Sequence, residues 1–133
     1  MRSGGWTGLA AAAAALAIGG GLAANQIEAG QRADRRAAAL TGGDPQAGRA
    51  ALGARPCGGC HEIPGVPGAH GKVGPPLTGL AGRTYIAGRL NNTPDNLVAW
   101  IVDPHAIDPR NAMPPTGVTP QEACDIAAYL YTR

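Results

Sequence analysis

Cys57-Gly58-Gly59-Cys60-His61 brings two thiols and an imidazole together within five residues. That spacing is the signature of covalent haem attachment. Two thiols add across the two haem vinyl groups to give two thioethers, and the two residues between them set the span. Glycines there let the backbone pass close to the porphyrin edge. The next residue, an imidazole, is delivered to one axial position of the iron. Competing chemistries fit less well. A redox C-x-x-C belongs to a βαβ pattern, and no strand pattern lies near this one. A structural zinc site needs a second ligand pair at finger-like spacing, and Cys124, His70 and His105 are scattered. A disulfide across two residues would strain a helical start. One haem c bound through Cys57 and Cys60, with His61 on the iron, is the expectation.

What fills the sixth position decides between electron transfer and ligand chemistry. Met113 is the one methionine beyond Met1, in Asn111-Ala112-Met113-Pro114-Pro115. A lone interior methionine is commonly core filler, but this one sits on a proline-stiffened loop rather than a helical stripe. His70 and His105 are its rivals. His70 is close to His61 in the chain and would have to cross the ring edge quickly. His105 follows Pro104 at a helix end. Met113 is favoured, and a thioether raises the reduction potential relative to a second imidazole.

The elements that must position these residues follow from caps and periodicity. Asp44-Pro45 opens a helix running to about Ala54, because Asp is a good N-cap and Pro suits the first helical position. Thr93-Pro94 repeats that signal, and Leu97, Trp100 and Ile101 form one apolar helical face that Pro104 ends. Thr119-Pro120-Gln121-Glu122 is a capping box, followed by a stripe of Ala123, Ile126, Ala127 and Leu130. The expected fold is all-α: three main helices, no strands, and long loops wrapped around one haem. Loops this long need an explanation, and a central cofactor supplies one. With 21 Gly, 12 Pro and no Phe, a small domain has a thin core of its own, which a large apolar ring would complete.

The start of the chain is different. Arg2 precedes Trp6–Ala24, an uncharged Ala- and Leu-rich stretch, so residues 1–24 read as a signal peptide or membrane anchor. Trp6 suits an interfacial anchor, while Gly21 and Ala23 permit cleavage. Gly19-Gly20-Gly21 is expected to weaken the helix near its end. Residues 25–43 read as a polar helical stalk ending at Gly42-Gly43, and 44–133 as the haem domain. Either fate of residues 1–24 exports the rest, to the periplasmic side of a bacterial inner membrane. The net charge of +2 lies wholly before Asp44; from Asp44 onward seven basic residues balance seven acidic ones. That neutrality argues against a nucleic-acid partner. Cys124 is assigned no function.

Residues 44–133 resemble the class I, mono-haem cytochromes c, in particular bacterial oxidase-associated cytochrome c domains. Besides the pentapeptide, Gly74-Pro75-Pro76-Leu77-Thr78-Gly79-Leu80-Ala81-Gly82-Arg83 is similar to the family's G-P-x-L-x-G-x-x-G-R stretch. Leu97-x-x-Trp100-Ile101-x-x-Pro104 is similar to its third helix, and Met113-Pro114 to its distal-ligand loop. The resemblance implies that the Pro75 carbonyl accepts a hydrogen bond from His61, that Leu77 packs on the ring, that Arg83 approaches a propionate, and that Trp100 lies beside the methionine ligand. It also implies that Tyr129 packs across Gly48. The function implied is single-electron transport in a respiratory chain. A quinol-oxidising cytochrome complex would be the donor and a haem–copper oxidase the acceptor. Two alternatives remain: a fixed haem subunit of a membrane oxidoreductase, and a gas sensor in which Met113 is displaced. No catalytic constellation is present, so the chain reads as an electron-transfer protein without a small-molecule substrate rather than an enzyme.

Overall fold

The computed structural model describes the backbone of residues 4–133. Arg2 lies outside the described residues, as does the Trp6 side chain. The first helix, α1, covers Gly4–Thr41, and the chain divides into two compact units, one ending at Arg32 and one spanning Ala33–Arg133.

In the first unit the larger apolar side chains among the described residues face outward. Leu9, Leu16, Leu22 and Ile27 are all exposed. Gly8–Thr41 is long and apolar enough to cross a membrane, with a window of mean hydropathy 1.5. Gly19-Gly20-Gly21 does not break the helix, although each glycine costs about 1 kcal/mol relative to alanine.

The second unit begins at Ala33, so it includes the last turns of α1. Ala37 and Thr41 are buried. The Thr41 hydroxyl donates to the Ala37 carbonyl and accepts from the Gly43 N–H. Gly42, at φ +69°, then ends the helix in the left-handed conformation that glycine adopts freely.

Four further helices open on one device, a capping side chain followed by proline at the first helical position. They are α2 (Pro45–Ala54), capped by Asp44, and α4 (Pro94–Val102), capped by Thr93. The others are the short α5 (Pro104–Ile107), capped by Asp103, and α6 (Pro120–Leu130), whose Thr119–Glu122 capping box is complete. Each cap contributes about 1 kcal/mol. Pro104, expected only to end a helix, ends α4 and starts α5. The haem motif forms its own turn, α3 (Cys57–Cys60).

Helices α2 and α6 form the main packing of this unit, with α4 against α6. Their close approach depends on Gly48. A Cβ there would lie 1.9 Å from the Asp125 carbonyl oxygen, so the contact at Gly48 is made by the α6 backbone. Tyr129, expected across Gly48, is fully buried, and its hydroxyl donates to the Pro64 carbonyl at 2.6 Å.

The expectation of no strands is corrected by a small antiparallel hairpin, β1 (Tyr85–Ile86) paired with β2 (Leu90–Asn91). Its turn places both Ala87 (φ 50°) and Gly88 (φ 67°) in the left-handed region. The Arg89 N–H closes the turn on the Ile86 carbonyl. Alanine rarely adopts such a φ, so the residue types gave no hairpin signal.

Candidate functional site

The second unit encloses a cavity of about 370 Å³, within the size range of cofactor sites. Its walls come from the haem-motif turn, the Val73–Leu77 loop, the hairpin, α4, the loop before α6, and α6 itself. Cys57, Cys60, His61, Pro75, Leu77, Arg83, Trp100 and Met113 all line it. His70 and His105 do not line it, and His70 is exposed, its backbone bridged to Glu62.

His61 follows directly on α3 and is held by its neighbours. Its Nδ1–H donates to the Pro75 carbonyl at 2.8 Å. A carbonyl can only accept, so a proton sits on Nδ1, and in the neutral ring the lone pair then lies on Nε2, the tautomer a metal ligand needs. Gly74 makes room for the ring: a Cβ there would lie 2.3 Å from His61 Cε1. Backbone bonds fix the same region. The Gly74 N–H donates to the Cys60 carbonyl, Gly71 to Gly58, and Leu77 to Glu62. Burial pushes the Cys57 thiol above its ordinary pKa, with Arg55 pulling the other way.

Met113 is held differently. Its N–H donates to Asn111 Oδ1 at 2.8 Å, while Asn111 Nδ2 donates to the carbonyls of Pro104 and Asp108. The Thr116 hydroxyl donates to the Ile101 carbonyl at 2.7 Å. Asn111 went unnoticed in the sequence, although an Asn two residues before a loop residue is a recognised turn signal. The sequence also gives no signal for Arg55, and it shows Gly74 only as part of the Gly74–Arg83 stretch, without its role beside His61. Val73 and Tyr85, both exposed, line the cavity as well.

Arg83 Nη2 donates to the carbonyls of Pro76 and Thr78, which fixes a guanidinium at the cavity wall. The donor set suits a haem: two free thiols three positions apart, an imidazole with an available lone pair, a thioether, one guanidinium and largely apolar walls.

Residues 45–133 match the Cytochrome c family. The chain belongs to that family. Members of the cytochrome c family hold haem covalently and transfer electrons through it. Part of this cytochrome c is also similar to "Cytochrome c oxidase subunit 2" of Alkalihalophilus pseudofirmus, at 40% identity over 67 residues. That match covers 50% of this chain and 19% of the relative's length. No solved structure matches.

Proposed function

We propose that this cytochrome c carries single electrons in a respiratory chain, from a quinol-oxidising cytochrome complex to a haem–copper terminal oxidase. It works on the periplasmic side of a bacterial inner membrane. Residues 1–24 serve as anchor or signal, and residues 44–133 contain the haem-binding sequence. The observation that carries the proposal is that Cys57, Cys60, His61 and Met113 line one cavity while the rival histidines do not.

Cys57 and Cys60 would hold the haem covalently, and His61 and Met113 would ligate its iron. The Pro75 carbonyl and Gly74 hold the His61 ring in orientation and tautomer. Leu77 and Trp100 supply apolar walls that exclude water, and Arg83 supplies positive charge for a propionate. Bound there, haem iron provides a one-electron couple between its ferric and ferrous states. A thioether from Met113 would bias that couple toward ferrous iron. Because neither the His61 nor the Met113 side chain would need to leave, little rearrangement of this chain would accompany each transfer. Tethering through residues 6–24 would raise the local concentration of the domain near its partners.

The test is oxidation of the reduced full-length protein by membranes containing a haem–copper oxidase. Rapid, cyanide-sensitive oxidation is expected. Slow oxidation combined with fast, complete carbon monoxide binding would favour the gas sensor instead. The oxidase subunit among the relatives favours one second reading, a fixed subunit of a membrane complex. Stoichiometric co-purification with an oxidase in mild detergent would select it.

A further inference from the structure

The Met113 loop has an unusual attachment. Among the described residues, no backbone–backbone hydrogen bond reaches residues 112–118. Pro114 and Pro115 have no N–H to offer, and Gly117 turns the chain at φ +66°. Side chains must therefore hold this segment.

One of them comes from a distant part of the chain. Arg55 is the residue after α2 and lies two positions before Cys57. Its Nη1 donates to the carbonyls of Thr116 and Gly117, each at 3.4 Å, and its Nη2 donates to Glu122 Oε1 at 2.7 Å. Glu122 is itself fixed. Its Oε2 accepts the Thr119 N–H at 3.0 Å, and its own N–H donates to the Thr119 hydroxyl. The guanidinium thus spans both ends of 116–122 from the doorstep of the haem motif, and it lines the cavity. The Arg55–Glu122 side chains are 28% and 33% exposed, so the pair's effect lies in fixing the fork's geometry more than in its charge. Two long bonds to carbonyls would be weak alone. Sharing one rigid fork with a 2.7 Å charged bond makes them a single constraint.

We propose that Arg55, locked by Glu122, is a positioning residue for Met113. It staples the ligand-bearing loop to the segment that carries the haem thiols, and so makes the sixth ligand hard to displace. The proposal rests on the His61/Met113 ligation proposed above.

The experiment measures imidazole binding to the ferric full-length holoprotein, together with the weak near-infrared sulfur-to-iron charge-transfer band. The wild-type protein should show the band and bind imidazole slowly. Arg55→Met should bind imidazole about tenfold faster, a change of about 1.4 kcal/mol in the barrier, with a weakened band. Arg55→Lys keeps the charge but loses the fork, and should recover only part of the effect. Asp44→Ala controls for general loss of stability: it removes the α2 cap, far in sequence from Met113, and should lower the melting temperature without changing imidazole binding. If Arg55→Met fails to mature, Glu122→Gln, which keeps an acceptor for the Thr119 N–H, should show the same acceleration more weakly.

Absence of the band in the wild-type protein would overturn the ligation, and with it this proposal. A normal wild-type band with Arg55→Met and Glu122→Gln both binding imidazole at the wild-type rate would overturn the staple alone. So would acceleration of equal size in Asp44→Ala, because the effect would then follow stability.

Discussion

The two segments proposed to ligate the iron are secured by opposite means. His61 is contiguous with the thiols, and the Gly71–Leu77 loop is laced to its turn by backbone bonds at Gly58, Cys60 and Glu62. Met113 sits on a loop that no backbone–backbone bond reaches among the described residues. It depends on Asn111, Thr116 and Arg55 side chains. Backbone bonds survive almost any substitution, whereas a side-chain clamp can be removed by one. The His61 side should therefore be robust and the Met113 side adjustable. On the proposed ligation, that division would keep attachment secure while leaving the sixth position open to tuning.

The comparison breaks most completely if its local side is removed. Replacing both Cys57 and Cys60 with Ala should abolish covalent holoprotein. Acid–acetone extraction of the wild-type protein should leave the haem on the chain, and the double variant should retain none.

The next effect is on the adjustable side. Asn111→Ala strips the Met113 N–H of its acceptor and frees the Pro104 and Asp108 carbonyls. The expected cost is about 1–3 kcal/mol, read by denaturant unfolding of the holoprotein. The sulfur-to-iron band should weaken while thioether attachment stays complete. Loss of attachment in this variant would show that the two sides are not separable.

A smaller effect concerns pH. The Thr119 N–H, and then Arg55, hold the Glu122 carboxyl below its ordinary pKa. A depressed carboxyl contributes stability above its unfolded pKa and loses it as pH falls through the lower, folded value. The stability gap between the wild-type protein and Glu122→Gln should be constant near neutrality and close as pH drops below the ordinary carboxylate range. Denaturant melts at several pH values measure it, and a gap that widens in acid would contradict the assignment.

Much of this architecture could be read locally. The pentapeptide, three of the cap-then-proline helix starts and the α6 stripe are short patterns whose meaning lies in neighbouring residues. Asp103-Pro104 carried the same signal but was read only as a stop. The hairpin was hidden because Ala87 takes a backbone conformation its type disfavours. The edge of the compact unit at Ala33 was hidden because alanines such as Ala37 look alike whether packed or solvated. Arg55 was the least legible of all. Its partners lie 61 to 67 positions away, and nothing near Arg55 in the chain announces them. The site was therefore clearest where His61 and the two thiols are contiguous. It was dimmest where side chains from remote segments hold a loop, the same division that separates His61 from Met113.

X-ray absorption at the iron edge of the ferric full-length protein tests the central claim most directly. One sulfur among otherwise nitrogen first-shell ligands, lost in Met113→His, is the predicted result. An all-nitrogen shell in the wild-type protein would contradict it and return the sixth position to His70 or His105.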